Sequence, residues 1–432
     1  MQPSVLLTLE IGVLVWLGVP STTQAGDDVD EPRPEPQQSS RASKDRASLP
    51  PFLRDTALAL RLRTHYSDVQ TVTPIEREAW AFGGWLAYRS GWLLDGLQIG
   101  ATFYGSAPLY APADKDGTLL LAPGQQGYYV LGEAFAALRY EEYALLKGYR
   151  QLLKQPYINS WDNRMTPNTF EGATLGGKLG RVEYFAAYLT RIKTRNADHF
   201  VPMSEAAGAP GSNDGLGMFS VTFKPVSGLG VVLSEQYGVN TFNTVFGQVE
   251  HVWPVGQDLR LQLGVQFTDQ RAVGRALVAT TQSMKWVTRN GSAHVALTYG
   301  DLTLKGGASV TASGNKIQSP WGRYPGYLRL AQQLFNNANE KAWLIGMAYD
   351  FSKAISPGLT AFANLAWGVD SLDPISHARL PDEAEYDLTL DYWPPAIRGL
   401  GLRLRGVLYD QDGAGRLGYQ LRFIVDWEIP LL

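Results

Sequence analysis

Asp258-Leu259-Arg260-Leu261-Gln262-Leu263-Gly264-Val265-Gln266-Phe267-Thr268-Asp269 decides the fold. Every odd position from Leu259 to Phe267 is apolar, and every even position from Arg260 to Thr268 is polar, charged or glycine. A period of two is a β-strand with one greasy face and one wet face. Similar segments recur to the C-terminus. Few architectures put water on one side of every strand and grease on the other, and the leading one is a membrane barrel with an aqueous lumen.

The same alternation appears at Leu58, Leu60 and Leu62 against Arg61 and Arg63. It returns at Val295, Leu297 and Tyr299, where Gly300-Asp301 turns the chain into Leu302 and Leu304, a hairpin with a very short connection. Leu400, Leu402 and Leu404 alternate with Gly401, Arg403 and Arg405, and Tyr419 to Trp427 with Gln420, Arg422, Ile424, Asp426 and Glu428. Connections are unequal: some are Gly/Asp turns, others are long and polar, as at Tyr110 to Gln126 and Asn196 to Asp214. Short turns on one rim and long loops on the other suit such a barrel. At roughly 20–25 residues per strand and connection, the span from Phe52 predicts about 16–18 strands. The one possible helix lies near Tyr327 to Asn339, as part of a loop.

Composition agrees. Charged residues make up 18% of the 432, aromatics 11%, and there are 45 glycines. The net charge of −3 and the lack of any Lys/Arg-rich block give no sign of nucleic acid. With no cysteine, thiolate metal sites, disulfides and cysteine nucleophiles are excluded. The five histidines, His65, His199, His251, His294 and His377, have no metal-ligand spacing, and no nucleophile elbow or phosphate loop is present. No cofactor and no metal are expected.

Residues 1–25 read as a signal peptide: Val5 to Val19 is mostly apolar and Thr23-Gln24-Ala25 resembles a cleavage site, although Glu10 interrupts the run. Residues 26–51, rich in Pro, Ser and charge, read as a disordered periplasmic segment. Residues 52–432 form one barrel domain. The segment before Phe52 is too short for a plug domain, which argues against an energy-coupled transporter. No later apolar run suits a membrane helix.

Asp162-Asn163-Arg164-Met165-Thr166-Pro167-Asn168-Thr169-Phe170-Glu171-Gly172 resembles the Arg-Met-x-Pro-Asn-Thr-Phe-Glu signature of OprD-family outer-membrane porins. Leu146 to Gln151, Gln155 to Asn159, Ser319-Pro320-Trp321-Gly322, Phe335 to Trp343 and Tyr419 to Val425 look similar to other pieces of that family. The resemblance runs from about Phe52 to the end. Two departures are a longer Pro-rich segment before the barrel and a chain ending in Ile429-Pro430-Leu431-Leu432 rather than Phe. The resemblance implies an all-β transmembrane antiparallel barrel of 18 strands in the Gram-negative outer membrane, with loops folded inward to an eyelet and the N-terminus periplasmic. It also implies a ladder of basic residues passing small carboxylate solutes. The partners expected are those solutes, outer-membrane lipid and lipopolysaccharide, and the barrel-assembly machinery, with the protein a monomer or weak trimer.

Arg403, Arg405 and Arg422 share wet faces near the C-terminus, and Arg61 and Arg63 lie on the first strand, where the barrel should close. A guanidinium is a planar fork that fits a carboxylate. The plainer account is that these arginines pair with lumen acids such as Asp426 and Glu428 and brace the wall. Arg260 and Lys305 join the ladder candidates by alternation. Arg150 and Arg164 join through the resemblance, Arg164 with loop bracing as its other role. The strand phase around Lys178, Arg181, Arg191 and Lys193 cannot be assigned. Trp85, Trp92, Trp367, Tyr392, Trp393 and Trp427 read as interfacial girdle residues, with a sugar slide as the alternative. Two other function classes remain: a barrel enzyme of lipase or protease type using His294, and a secreted structural or adhesive β protein.

Overall fold

The structure is a computed structural model describing residues 48–256, 258–278 and 285–432. The expected signal peptide and most of the segment 26–51 lie outside the described residues. A single helical turn, α1 (Pro51–Arg54), leads into the strands. The first seven are β1 (Ala57–Gln70), β2 (Glu76–Arg89), β3 (Leu97–Tyr110), β4 (Tyr128–Tyr140), β5 (Ala144–Gln151), β6 (Thr169–Leu179) and β7 (Val182–Lys193). A two-residue β8 (Val201–Pro202) and a turn of helix, α2 (Met203–Ala206), follow. Then come β9 (Leu216–Phe223), β10 (Leu229–Gly238), β11 (Phe242–Pro254), β12 (Leu259–Ala272), β13 (Val287–Tyr299) and β14 (Leu302–Thr311). The last five are β15 (Lys341–Asp350), β16 (Leu359–Val369), β17 (Glu383–Tyr392), β18 (Leu400–Gln411) and β19 (Gly418–Pro430).

Each strand except β8 pairs antiparallel with the next in the ring, β7 pairing directly with β9. β8 touches only the end of β7, so 19 strands less this one leave an 18-stranded ring. The ring closes where β1 meets β19, from Ala59 opposite Pro430 to Gln70 opposite Tyr419. The connections 90–96, 141–143, 180–181, 224–228, 255–258, 300–301, 351–358 and 393–399 share one rim with both chain ends. The longer ones, above all 111–127, 152–168, 194–215 and 312–340, share the other. The hairpin read at Gly300-Asp301 is present, with Tyr299 opposite Leu302 and Gly300 in the left-handed region at φ 54°.

Alternation sorts the two faces as the sequence predicts. On β12, Leu263 is 42% exposed on the outside while Gln262, 7% exposed, faces inward. The buried apolar clusters lie inside the barrel, where inward loops meet the wall. Leu153 and Ile158 pack with Phe170, Leu189, Ile192, Met203, Leu216, Phe242, Trp286 and Trp321. Leu120, Leu121 and Met165 pack on Ala79 and Ala81 of β2.

Two expectations are corrected. Residues 327–339 form no helix: Phe335 and Asn339 take positive φ, and Tyr327, Leu328, Leu330 and Phe335 instead pack on Ala342, Leu344 and Ala366 of β15 and β16. Trp85 is no girdle residue; it packs inward with Tyr104, Tyr128, Val130 and Phe200. By contrast, Trp367 stacks on the exposed Trp343 at 6.0 Å on the outer face, and Trp393 and Trp427 are exposed beside the short-turn rim.

Leu263→Arg should cost about 2–4 kcal/mol of stability in bilayers, because a charge near the midplane of the lipid face has no water to meet. Gln262→Ala should be mild. Unfolding titrations of both variants in lipid check this, and the reverse ranking would mean that the faces are exchanged.

Candidate functional site

The five arginines of the expected ladder lie on three consecutive strands, β18, β19 and β1, and face the lumen. Arg405 stands directly opposite Arg422, Arg63 opposite Asp426, and Arg61 opposite Glu428. Each guanidinium has a fixed protein neighbour. Arg403 forks onto Asp391 of β17, with Nε and Nη2 donating at 2.7 and 2.8 Å. Arg405 Nε donates to Thr389 Oγ1 at 2.7 Å, and its guanidinium lies 5.7 Å from the Phe362 ring. Lys305 of β14 approaches the same ring at 5.9 Å. Arg61 and Arg63 both donate to Asp426, at 3.0 and 2.6 Å.

The inward loop 152–168 completes this seam. Asp162 accepts from Arg61 Nη1 at 2.5 Å and from Arg63 Nη1 at 2.7 Å, so two buried cations share two carboxylates, one from the wall and one from the loop. Arg63 also donates to the Arg164 carbonyl. The Arg164 side chain turns away to the Thr118 carbonyl at 2.9 Å and the Asn163 carbonyl at 2.8 Å, tying its loop to 111–127. Of the remaining candidates, Arg150 lies apart on β5, near Glu171 at 3.4 Å and over Phe200 at 4.2 Å. Arg260 is exposed on β12, beside the short-turn rim.

Several further charged groups line the lumen, among them Lys193, whose strand phase the sequence leaves unassigned. Lys193 is fully buried and donates to Thr166 Oγ1 at 3.1 Å and the Thr194 carbonyl at 3.0 Å, facing the Tyr104 and Tyr128 rings. A register shift between Glu171 and Gly172 hides its phase from simple alternation. Trp161 lies 4.2 Å from Arg195 and 5.2 Å from Arg329, a cation–π contact joining three loops. No periodic pattern marks these loop arginines. β17 turns Glu383, Glu385, Asp387 and Asp391 to the inside, while Tyr386, Leu388 and Leu390 are exposed outside. That row was legible in the alternation of the sequence.

Loop 312–340 crosses the lumen on these groups. Glu385 accepts from the backbone N–H of Gln332 at 2.9 Å and of Gln333 at 2.5 Å. Tyr327 donates to Glu250 Oε1 at 2.9 Å and lies with its ring 4.0 Å from that of His294. Gly264 permits this approach, since a Cβ there would collide with both Tyr327 and His294. Neither His294 ring nitrogen makes a hydrogen bond, and Nε2 lies 3.6 Å from Glu250 Oε1. At the loop's end Glu340 is buried beside Glu383, and burial first, then the Glu383 charge, pushes the Glu340 carboxyl up to about 8. Among the described residues, no group of three or more acidic or histidine side chains could hold a metal.

The sequence matches the family described as "outer membrane porin, OprD family" over residues 50–431. Pseudomonas aeruginosa OccK9 (OpdG) superposes with a TM-score of 0.79 at 22% identity, over 88% of this chain and 100% of that one. P. aeruginosa OpdK with vanillate gives 0.77 at 20% identity, over 88% and 100%. OccK2 (OpdF) of the same species, in complex with glucuronate, gives 0.75 at 19% identity, over 89% and 100%. At these identities the likeness is one of fold. No curated protein matches by sequence.

Asp162→Asn should loosen loop 152–168 from the wall, since removing one partner of a buried ion pair costs about 3–5 kcal/mol. Single-channel recordings should show more frequent current fluctuations; traces matching wild type would refute the tie. A second expectation concerns pH. The folded chain holds the Glu340 proton that an unfolded chain releases near the ordinary carboxylate range, so anchoring of loop 312–340 should weaken as pH rises towards about 8. Hydrogen exchange of this loop at pH 5 and pH 9 measures it, and Glu340→Gln should flatten the difference.

Proposed function

Because this chain belongs to the OprD family of outer-membrane porins, we propose that it is a passive, substrate-selective channel for small carboxylate solutes, handed along the arginines of β18, β19 and β1. One observation carries the reading: Arg403, Arg405, Arg422, Arg61 and Arg63 occupy lumen positions on adjacent strands. Vanillate and glucuronate, named with two of the structural neighbours, both carry a carboxylate. The long-loop rim is the outward one, as in outer-membrane barrels generally.

The chemistry of each rung suits passage rather than capture. A solute carboxylate can reach Arg403 directly, where it competes with Asp391, while the buried Arg61, Arg63, Arg405 and Arg422 act on it through their field. A charged hydrogen bond is worth about 1.5–3 kcal/mol net. Exchanging one carboxylate for another returns only part of that, so the solute is attracted at each step and still released. Neutral solutes gain nothing from the guanidiniums. Arg164 holds the loop that carries Asp162, and Lys305 shares an aromatic ring with Arg405 at the edge of the path. Arg150 and Arg260 lie away from this seam and act on the general field.

Replacing Arg403 and Arg405 together by Ala removes two cations and leaves Asp391 facing the lumen. Reversal potentials should shift towards cation selectivity, and carboxylate uptake should fall severalfold, while neutral solutes of the same size pass at nearly the wild-type rate. The shift should shrink at 1 M salt, where the Debye length is about 3 Å. Equal slowing of neutral and anionic solutes would mean that these side chains only shape the lumen.

A further inference from the structure

A second charged cluster faces the other way. On the outer side of β12 and β13, Asp269 stands directly opposite Arg289, and Arg271 lies two positions further along the same face. Arg271 donates to Asp269 Oδ1 from Nε at 2.8 Å and from Nη2 at 2.5 Å, and Arg289 Nε donates to Oδ2 at 2.9 Å. The acid is covered, its side chain 11% exposed, while those of Arg271 and Arg289 are 50% and 59% exposed. We propose that Arg271 and Arg289 form a site on the barrel's outer wall for the phosphate of an anionic lipid of the outer leaflet.

The position selects a lipid. Below the cluster β12 turns Leu263, Val265 and Phe267 outward and β13 turns out Val295 and Leu297; all are exposed. The exposed Val287 stands directly opposite Arg271. Charges on the lipid face are costly at depth and tolerated near the interface, so the top of this apolar band marks the level of the headgroups. A lipid lying against Phe267 and Val265 would bring its phosphate to the two guanidiniums, whose forks match phosphate oxygens.

The geometry also says why Asp269 is there. An exposed arginine ordinarily loses rotamer freedom when it binds. Here the covered carboxylate engages Arg271 through Nε and Nη2 and Arg289 through Nε, so both side chains are held beforehand, with one net positive charge on the trio. Pre-ordering of this kind removes part of the cost of binding. The neighbouring acid on this face, Glu235 of β10, is engaged by Asn243 at 2.9 Å, and Asn243 stands opposite Arg271.

The test uses the whole barrel in neutral detergent, with native mass spectrometry reading bound lipid. The probes are bis-phosphorylated lipid A, the same lipid A after enzymatic dephosphorylation, and inorganic phosphate. Arg271→Gln with Arg289→Gln should weaken retention of phosphorylated lipid A about tenfold. It should leave the dephosphorylated lipid unaffected, and millimolar inorganic phosphate should not displace the lipid from wild type. Wild-type retention by the double variant would overturn the proposal, and so would full displacement by inorganic phosphate, which would make this a free-anion site. If the double variant does not assemble, Arg289→Gln alone should show a smaller loss in the same direction. Conductance in planar bilayers should stay unchanged, since the trio faces away from the lumen, so failure here is separable from failure of the channel reading.

Discussion

Everything in this molecule depends on the pairing of β1 with β19. Inside lipid no water is present to satisfy a backbone N–H or carbonyl, so a sheet can cross the membrane only if it has no edge. Twelve residue pairs join the first strand to the last, from Ala59–Pro430 to Gln70–Tyr419. That closure fixes the register of the whole ring, and with it which side chains face water and which face acyl chains. It also builds the seam of the proposed path, because Arg61 and Arg63 come from one end of the chain while Arg422 and Asp426 come from the other.

Closing the ring creates a second problem, a wide lumen with polar walls. The chain solves it by folding loops inward and fastening each with apolar contacts and charge. The apolar core of this barrel therefore lies within the lumen, as Trp321 against Phe242, and as Leu120 and Met165 against Ala79 and Ala81. The charges lining what remains are balanced locally: arginines on β18, β19 and β1 against carboxylates on β17, β19 and loop 152–168. A bare row of arginines would hold an anion tightly. A row already shared with fixed carboxylates holds it weakly, and that suits conduction.

Much of this was legible in the sequence because alternation follows directly from strand geometry. Leu259 to Phe267 gave both faces of β12, Gly300-Asp301 gave a turn, and the arginines of β1, β18 and β19 fell on the lumen side. Legibility ended where the period broke. A register shift at Glu171/Gly172 puts one extra residue, Thr190, into β7 ahead of Lys193. Trp85, by contrast, shares the inward phase of Ala79 and Ala81 on β2, and residue type, not period, misplaces it. The apolar spacing in 327–339 imitated a helix because the segment packs on the lumen wall at β15 and β16. The docking of Asp162 on Arg61 and Arg63 joins residues about a hundred positions apart, and no local pattern encodes it.

The contact of Asp162 with the seam has a kinetic side. The Asp162 partner Arg61 is itself bonded to Asp426, 365 positions away in the chain. Pairings that distant are formed late, since the loop-closure entropy must be met before the contact can repay it. Asp162 lands on two arginines of β1, and the Asp426 that fixes both of them arrives only when the first and last strands meet. The inward loop is thus held at full strength only in a sealed ring, because Asp426 orders the two guanidiniums that Asp162 engages.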